Sequence, residues 1–375
     1  MTPLLVTEAQ LEIQAVAVVT AVACALPGCF LVLRRTAMVS DAISHSVLLG
    51  IVVAFFLVES LTSPLLVLGA ALTGILTVVL VEAIKSTGLV KEDAAIGLVF
   101  PALFSLGVIL VSRYAGDVHL DTDAVLLGDL AFAPLDRLVV AGWDLGPRSL
   151  AVMGAILVVN TAAILLFWKE LKLATFDSAL ARALGFPPAA LHYGLMALVS
   201  VTAVGAFNAV GSILVVALMI GPPATAYLLT DRLATMVALA AGAGALAAVA
   251  GYWAAHWVDA SIAGMVASAA GVEFALACLL APGRGLVAVT RRHARQRVRF
   301  AETMLAIHLL HHEGRPEEAS ESRVEHLRDA LRWDPGFADR IVRSAARRGL
   351  VDRRNGSLAL TDRGRTVATA ALRTT

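Results

Sequence analysis

Residues 34–46, which read RRTAMVSDAISHS, are the stretch around which this chain is organised, because they join two long apolar runs. Two arginines mark the turn between the runs, and Asp41 and His45 follow at the start of the second run. Residues four apart on an α-helix lie on one face, so a helix here places these two side chains one turn apart. A carboxylate and an imidazole are ligands that divalent transition metals accept.

The setting of the Asp41–His45 pair decides between two interpretations. In a water-soluble helix such a pair usually forms a hydrogen bond or lies on a solvated face. Inside a membrane, ionisable side chains are costly and usually face a cavity or a transport pathway. The pair therefore indicates a metal pathway if the flanking runs cross a membrane.

The composition is typical of a polytopic membrane protein. Of the 375 residues, 58% are hydrophobic and 16% are charged, whereas soluble proteins have about 45–50% apolar and about 25% charged residues. A spanning helix needs about 20 mostly apolar residues. Nine runs meet this length, at residues 12–33, 37–58, 63–84, 94–112, 148–168, 191–208, 211–230, 234–256 and 262–281. The membrane part is therefore predicted to be all-α, with about nine transmembrane helices.

Charge divides the chain into two regions. From Arg291 onward, 18 Arg and 11 acidic residues give a net charge of +7, while the other 12 Lys and Arg and 18 acidic residues give −6. Two regions of different character are therefore fused. We predict a transmembrane domain at 1–285, a basic linker at 286–298 and a small domain at 299–375.

Basic residues in the short loops predict the orientation. Lys or Arg follows the first, third, fifth, seventh and ninth spans, and these loops share one side if nine spans alternate. Cytoplasmic loops carry the excess of Lys and Arg. We therefore expect a multi-pass protein of the cell membrane, inner or plasma, with its C-terminus in the cytoplasm. The loop 117–147 is partly apolar and is a candidate re-entrant or interfacial piece.

Three stretches predict breaks or short helices. Asn208 and Gly211 separate two apolar runs and indicate a bend, and residues 221–223, Gly-Pro-Pro, predict a second interruption because Pro cannot donate a backbone hydrogen bond. Between the fifth and sixth spans, Asp177 or Ser178 can cap a short helix that Gly185 can end. That short helix is either a solvated connection or a docking helix for another protein.

The region after Thr290 has the pattern of a small winged helix-turn-helix domain. Helical segments at 299–313, 324–332 and 335–348 precede a strand, an Asn355-Gly356 turn and a second strand. The third helix carries four arginines that would form a nucleic-acid or docking face: Arg340, Arg343, Arg347 and Arg348. Arginines on such a helix can meet phosphates.

Residues 10–285 resemble the membrane permease subunit of the ABC-3 class of ABC importers, which take up manganese, zinc or iron and have a type II importer-like fold. The resemblance is carried by 28–35, 40–50, 91–97, 119–123, 209–218 and 221–226. It implies that Asp41 and His45 contribute to the metal site, and that 177–187 is the coupling helix that contacts the ATPase subunit. The residues assigned to that helix are Asp177, Ala179, Leu180, Ala183, Leu184 and Gly185.

The resemblance also implies partners: an ABC ATPase subunit, an external metal-binding protein, and a second permease copy or paralogue. The transported divalent metal, Mn, Zn or Fe, is the cargo, and no permanently bound cofactor is expected. The chain contains no G-x-x-x-x-G-K-[ST] motif, so ATP hydrolysis is expected in a separate subunit and the chain itself is not expected to be an enzyme.

The tail resembles the DNA-binding domain of metal-dependent repressors of the diphtheria-toxin-repressor type, through residues 349–351 and 360–364. Because this domain is tied to a membrane, regulation or docking of transport is favoured over operator binding, and DNA is not an expected partner. The nearest candidates for metal sensing are His308, His311 and His312. A solvated helix face is the favoured interpretation of the His308–His311 pair.

Three hypotheses of function follow. The first is a permease subunit of an ABC importer for divalent metals. The second is a membrane-tethered, metal-responsive transcription regulator, which predicts metal-dependent operator binding by residues 290–375. The third is a gradient-driven metal transporter, which predicts uptake without an ATPase and more intramembrane acids than Glu82 and Glu273.

Overall fold

A computed structural model describes residues 7–59, 63–114, 130–140, 143–324, 326–327, 331–354 and 357–373. The chain divides into two compact units, a membrane unit at Met1–Arg284 and a tail unit at Gly285–Thr375. Each unit has its own buried apolar cluster, so each is described by itself.

The described part of the membrane unit contains nine helices long and apolar enough to cross a membrane, which confirms the predicted number. These nine are α1 (Glu8–Arg34), α2 (Met38–Val58), α3 (Pro64–Ser86), α4 (Glu92–Tyr114), α5 (Arg148–Leu166), α8 (Pro188–Val210), α9 (Ser212–Leu229), α10 (Leu233–Val258) and α11 (Ile262–Leu280). Two short helices lie between α5 and α8: α6 (Trp168–Phe176) and α7 (Ser178–Ala183).

Helix α1 is the centre of the membrane unit. It packs against α5, α8, α9 and α10, and 72% of its most apolar window is buried, compared with 17% for α5. Small residues line its C-terminal half, where Ala23, Ala25 and Gly28 are buried. Small side chains allow close helix contacts in membranes, where lipid offers no hydrophobic driving force between helices.

One predicted helix break is confirmed and one is wrong. Helix α8 ends at Val210, and Gly211 has a φ of +80° before α9 begins. Residues 221–223 do not interrupt α9, which continues through both prolines to Leu229. Pro223 leaves the carbonyl of Met219 without its usual i+4 donor. That carbonyl lies against Gly28 of α1, whose missing Cβ leaves room for it.

The loop after α4 contains structure that the all-α prediction missed. A 3₁₀ helix at Leu130–Leu135 is followed by an antiparallel pair, β1 (Arg137–Val140) and β2 (Trp143–Pro147). Arg137 contacts Asp144 across this pair at 2.5 Å and Glu12 of α1 at 3.2 Å. The sequence stretches 119–123 and 124–129 lie outside the described residues.

The tail unit is built on one long helix. Helix α12 (Leu286–His312) is followed by α13 (Glu318–Glu321), α14 (Pro335–Arg347), the antiparallel strands β3 (Val351–Arg354) and β4 (Ser357–Leu360), and α15 (Asp362–Arg373). Its core contains Leu305, Leu309, Ile341, Leu350 and Leu358. The Asn355-Gly356 turn and part of the predicted segment 324–332 lie outside the described residues.

Two expectations for the tail need revision. Residues 286–298, expected as a linker, are the first half of α12 and continue without a break into the segment that packs in the core. The side chain of His308, expected on a solvated face with His311, is only 12% exposed. His308 lies against Glu321 because α13 folds back over α12.

Candidate functional site

The start of α2 positions the two candidate ligands. Helix α1 ends at Arg34, Arg35 adopts a left-handed conformation with a φ of +61°, and α2 begins at Met38. Asp41 therefore lies in the first turn of α2 and His45 one turn further. With a rise of 1.5 Å per residue, His45 is about 10 Å along the helix from its start.

Asp41 and His45 meet as their spacing predicts. Nε2 of His45 lies 3.4 Å from Oδ1 of Asp41, and the two side chains are 35% and 33% exposed. The imidazole also packs on α4, with its ring centre 5.7 Å from Phe100 and 6.2 Å from Phe104. His45 is thus held against aromatic rings, while about one-third of each of the two side chains stays exposed.

The opposite side of α2 is fixed rigidly to α3. Ser46 and Thr77 share a buried hydrogen bond of 2.6 Å. Gly50 and Gly69 bring the two helix backbones together, since a Cβ on either would collide with a carbonyl of the other. A helix anchored in this way holds the side chains of its open face in fixed positions.

The pair by itself is an incomplete metal site. Divalent transition metals take four or more ligands, and Asp41 and His45 offer two side chains. Among the described residues, the one group of three close His, Cys, Asp or Glu side chains lies in the tail, away from this pair in sequence. Further ligands would have to come from water, backbone or another chain.

The short helix α7 has the caps that its sequence predicts. Asp177 accepts a hydrogen bond from the backbone N–H of Leu180 at 2.8 Å, and Gly185 ends the turn with a φ of +86°. The residues assigned to this helix are exposed: Asp177, Ala179, Leu180, Ala183, Leu184 and Gly185. The Leu180 and Leu184 side chains are 46% and 60% exposed, so this helix presents apolar surface.

A polar contact links the α6–α7 segment to the end of α1. Nε of Arg34 donates a hydrogen bond of 3.1 Å to Oγ1 of Thr175, the second-last residue of α6. Nη1 of Arg34 lies 3.5 Å from Nδ1 of His192, whose Nε2 lies 3.5 Å from Oε2 of Glu82. The sequence carries no signal for these contacts, because Arg34 and Thr175 are 141 residues apart.

Other polar residues singled out in the sequence are dispersed. Glu82 contacts His192 near the end of α3. Glu273 lies in the middle of α11, where its Oε2 is buried and has no hydrogen-bond partner in the part of the chain that the structure describes. Asn208 lies in the last turn of α8, just before the break at Gly211. In the described part of the chain, none of the contacts found for these three residues involves Asp41 or His45.

Comparison with known proteins identifies the family. Residues 8–281 match the ABC 3 transport family. The chain belongs to this family. It is 49% identical over 362 residues to the zinc transport system membrane protein TroD of Treponema pallidum (strain Nichols), an alignment covering 96% of this chain and 98% of TroD. It is 48% identical over 273 residues to the manganese transport system membrane protein MntD of Bacillus subtilis (strain 168), covering 73% of this chain and 92% of MntD.

A solved structure supports the same assignment. PsaBC from Streptococcus pneumoniae in complex with Fab matches with a TM-score of 0.62 and 28% identity, over 75% of this chain and 95% of that chain. The chain is therefore a multi-pass membrane protein of the ABC permease type. Because the TroD alignment covers 96% of the chain, the similarity to that protein extends into the tail unit.

The four tail arginines do not share one environment. Arg340, Arg343 and Arg347 are exposed on α14, and Nε of Arg343 donates to the carbonyl of Asp339 at 3.2 Å. Arg348 instead forms an ion pair with Glu302 of α12, whose side chain is 1% exposed. Arg348 therefore has a role inside the tail unit.

Proposed function

We propose that this chain is the permease subunit of an ABC importer for divalent transition metal ions, with Asp41 and His45 in the translocation path. The observation that carries this is a carboxylate and an imidazole 3.4 Å apart on a helix of a family permease, both about one-third exposed. Relatives named for zinc and manganese transport support a metal cargo.

A second permease copy or paralogue completes the pathway in this proposal. The Asp41–His45 pair has too few ligands for a lone site, and it lies on a partly open face beside Phe104, which is 38% exposed. A matching pair from a second permease would bring the ligand number to four, which suits Zn²⁺ and, with water, Mn²⁺ or Fe²⁺.

A separate ATPase drives transport through α7, with α7 and the C-terminus in the cytoplasm, and an external metal-binding protein delivers the ion. The exposed Leu180 and Leu184 give a partner an apolar surface to bury, at about 25 cal/mol per Å². The Arg34–Thr175 contact joins this segment to the turn that precedes Asp41. Motion at α7 can thereby reach the candidate ligands.

The tail is a winged helix-turn-helix domain that regulates or docks the transporter. Helices α12 and α14, the hairpin β3–β4 and α15 have the order that such a domain requires. Exposed Arg340, Arg343 and Arg347 provide a positive face, while Arg348 is engaged by Glu302. An acidic surface of a partner subunit is the favoured ligand of this face.

Metal accumulation in cells tests the function. The chain is expressed with its ATPase and external metal-binding protein, and cellular manganese, zinc and iron are counted with an active and with a hydrolysis-deficient ATPase. We expect accumulation only with the active ATPase. Equal accumulation with both would favour gradient-driven transport, and metal-dependent operator binding by the full chain without accumulation would favour a transcription regulator.

A further inference from the structure

A cluster of potential metal ligands lies in the tail unit, and its residues are different from those proposed for transport. His308 and His312 stand one turn apart on α12, with ring centres 4.8 Å apart. Glu321 of α13 faces them, and its Oε2 lies 3.4 Å from Nε2 of His308. One ligand atom from each of the three residues lies within 4.8 Å of the other two.

We propose that His308, His312 and Glu321 bind a divalent transition metal ion, with Zn²⁺ the best match. Two imidazoles and one carboxylate form a known ligand set for zinc, with a fourth position open to water. Ligand atoms of a tetrahedral zinc ion lie about 3.3 Å apart, given Zn–N distances of about 2.0 Å. The His308–Glu321 distance of 3.4 Å is close to this value, and the ligand atom of His312 lies within 4.8 Å of the other two.

The surroundings of the three side chains fit a metal site. All three are largely withdrawn from water, with exposed fractions of 12% for His308 and 19% each for His312 and Glu321. Nδ1 of His312 is buried and has no hydrogen-bond partner among the described residues, and its carboxylate neighbour is Glu317 at 4.0 Å. A buried nitrogen without a hydrogen bond is costly, and a metal ion would satisfy it.

A third histidine contacts Glu321, and a cavity borders the two histidines of α12. Oε1 of Glu321 lies 2.9 Å from Nε2 of His326, a contact that orients the carboxylate, as outer-shell partners of metal ligands do. His308 and His312 line a cavity of about 550 Å³ on one side of the cluster. His311 lines the same cavity with its ring centre 5.1 Å from that of His312, and its Nε2 lies 3.2 Å from Nη1 of Arg315, so it stands outside the group of three close ligand atoms.

The arrangement gives the metal a structural effect. His308 and His312 belong to the long helix α12, and Glu321 belongs to the segment that folds back over it. A shared ion would therefore fasten this segment to α12. Metal binding to the folded state stabilises that state by mass action, so the fold around α13 should become more resistant to opening.

Metal binding by the purified full-length chain tests the proposal. An Asp41→Ala/His45→Ala background removes the membrane pair, and Co²⁺ serves as the spectroscopic probe, with Zn²⁺ as competitor. We expect one Co²⁺ per chain with visible absorption, displaced by Zn²⁺. His308→Ala/His312→Ala should remove that equivalent, and the matched control His311→Ala should retain it.

A near-isosteric variant covers the case in which the double alanine variant misfolds. Glu321→Gln keeps the side-chain shape, removes the charge and should weaken Co²⁺ binding by at least about tenfold. Hydrogen exchange at residues 308–321 should slow when Zn²⁺ is added to the background protein. Unchanged Co²⁺ affinity and spectrum in Glu321→Gln, or an unchanged Co²⁺ equivalent in a folded double variant, would overturn the proposal.

Discussion

Arg34 and Thr175 are joined by a hydrogen bond of 3.1 Å that connects the C-terminus of the central helix α1 to the segment carrying α7. Arg34 is followed by the turn into α2, and Asp41 lies seven residues beyond it. This contact therefore connects the proposed ATPase-docking helix to the proposed metal ligands through the short turn between α1 and α2.

Removing the Arg34–Thr175 contact should uncouple ATP hydrolysis from transport. Thr175→Val keeps the side-chain shape and deletes the acceptor, so we expect metal transported per ATP hydrolysed to fall several-fold while the complex still assembles. The measurement is paired uptake and ATPase assays in proteoliposomes. Thr230→Val, at the end of α9, is the matched control, and equal coupling ratios for the two variants would contradict this role.

Gly28 should tolerate no side chain. A Cβ at this position would collide with the carbonyl of Met219 and press on Pro223, so Gly28→Ala should destabilise the membrane unit by about 1–3 kcal/mol. The thermal midpoint of the detergent-purified protein measures this. Gly97→Ala, in α4, meets nothing within 4 Å and should leave the midpoint unchanged or raise it. Equal midpoints for the two variants would exclude the close packing described here.

The sequence predicted the parts of this molecule that depend on local pattern. Apolar runs of sufficient length located the nine helices, Gly211 located a break, and Asp177 with Gly185 located α7. The i,i+4 spacing alone predicted that Asp41 and His45 would meet. Residues close in sequence have few relative arrangements, so pattern is sufficient there.

Features that depend on packing escaped prediction. Pro222 and Pro223 remain inside α9 because the backbone of α1 at Gly28 accommodates the displaced carbonyl, which the sequence of α9 does not reveal. The sequence also does not reveal the ion pair of Arg348 with Glu302 or the position of Glu321 beside His308. Each requires knowing which distant segment folds against which helix.

Glu302 should depend on Arg348 for its place in the core. Its carboxylate is 1% exposed, and Arg348→Ala leaves that charge unpaired, which should cost about 2 kcal/mol of tail stability. Faster hydrogen exchange in β3, β4 and α15 would report the loss. Adding Glu302→Gln to the Arg348→Ala variant should restore most of the lost stability, because the unpaired charge is then removed. Arg347→Ala is the neighbouring control, and an effect as large as that of Arg348→Ala would argue against a specific pair.

The Glu313–Arg365 pair should give α15 a pH dependence. Arg365 donates to both carboxylate oxygens of Glu313, at 2.6 to 3.1 Å, and these bonds lower the pKa of Glu313. The contribution of this pair to the stability of α15 is fully present above the pH range in which carboxyl groups ordinarily titrate. It is lost as the pH falls through the lowered pKa of Glu313. Glu313→Gln should therefore speed hydrogen exchange in α15 a few-fold at pH 7, an effect limited by solvent screening.

This difference between Glu313→Gln and the unmodified chain should disappear at pH values below the lowered pKa of Glu313, where the carboxyl is protonated in both the folded and the unfolded state. Exchange is compared at each pH separately, so that the pH dependence of the chemical exchange rate cancels. A difference that persists unchanged at low pH would mean that Glu313 stabilises α15 through packing rather than through charge.

Metal uptake by the reconstituted complex tests the central claim most directly. Proteoliposomes containing this chain with its ATPase receive ATP, metal and the external metal-binding protein. The chain is either unmodified or carries Asp41→Ala or His45→Ala. The matched control is Val53→Ala, at an exposed position on the same helix. We predict that each ligand substitution lowers ATP-driven uptake by at least about tenfold, while Val53→Ala transports normally. Normal uptake by both ligand variants would contradict a transport site at Asp41 and His45.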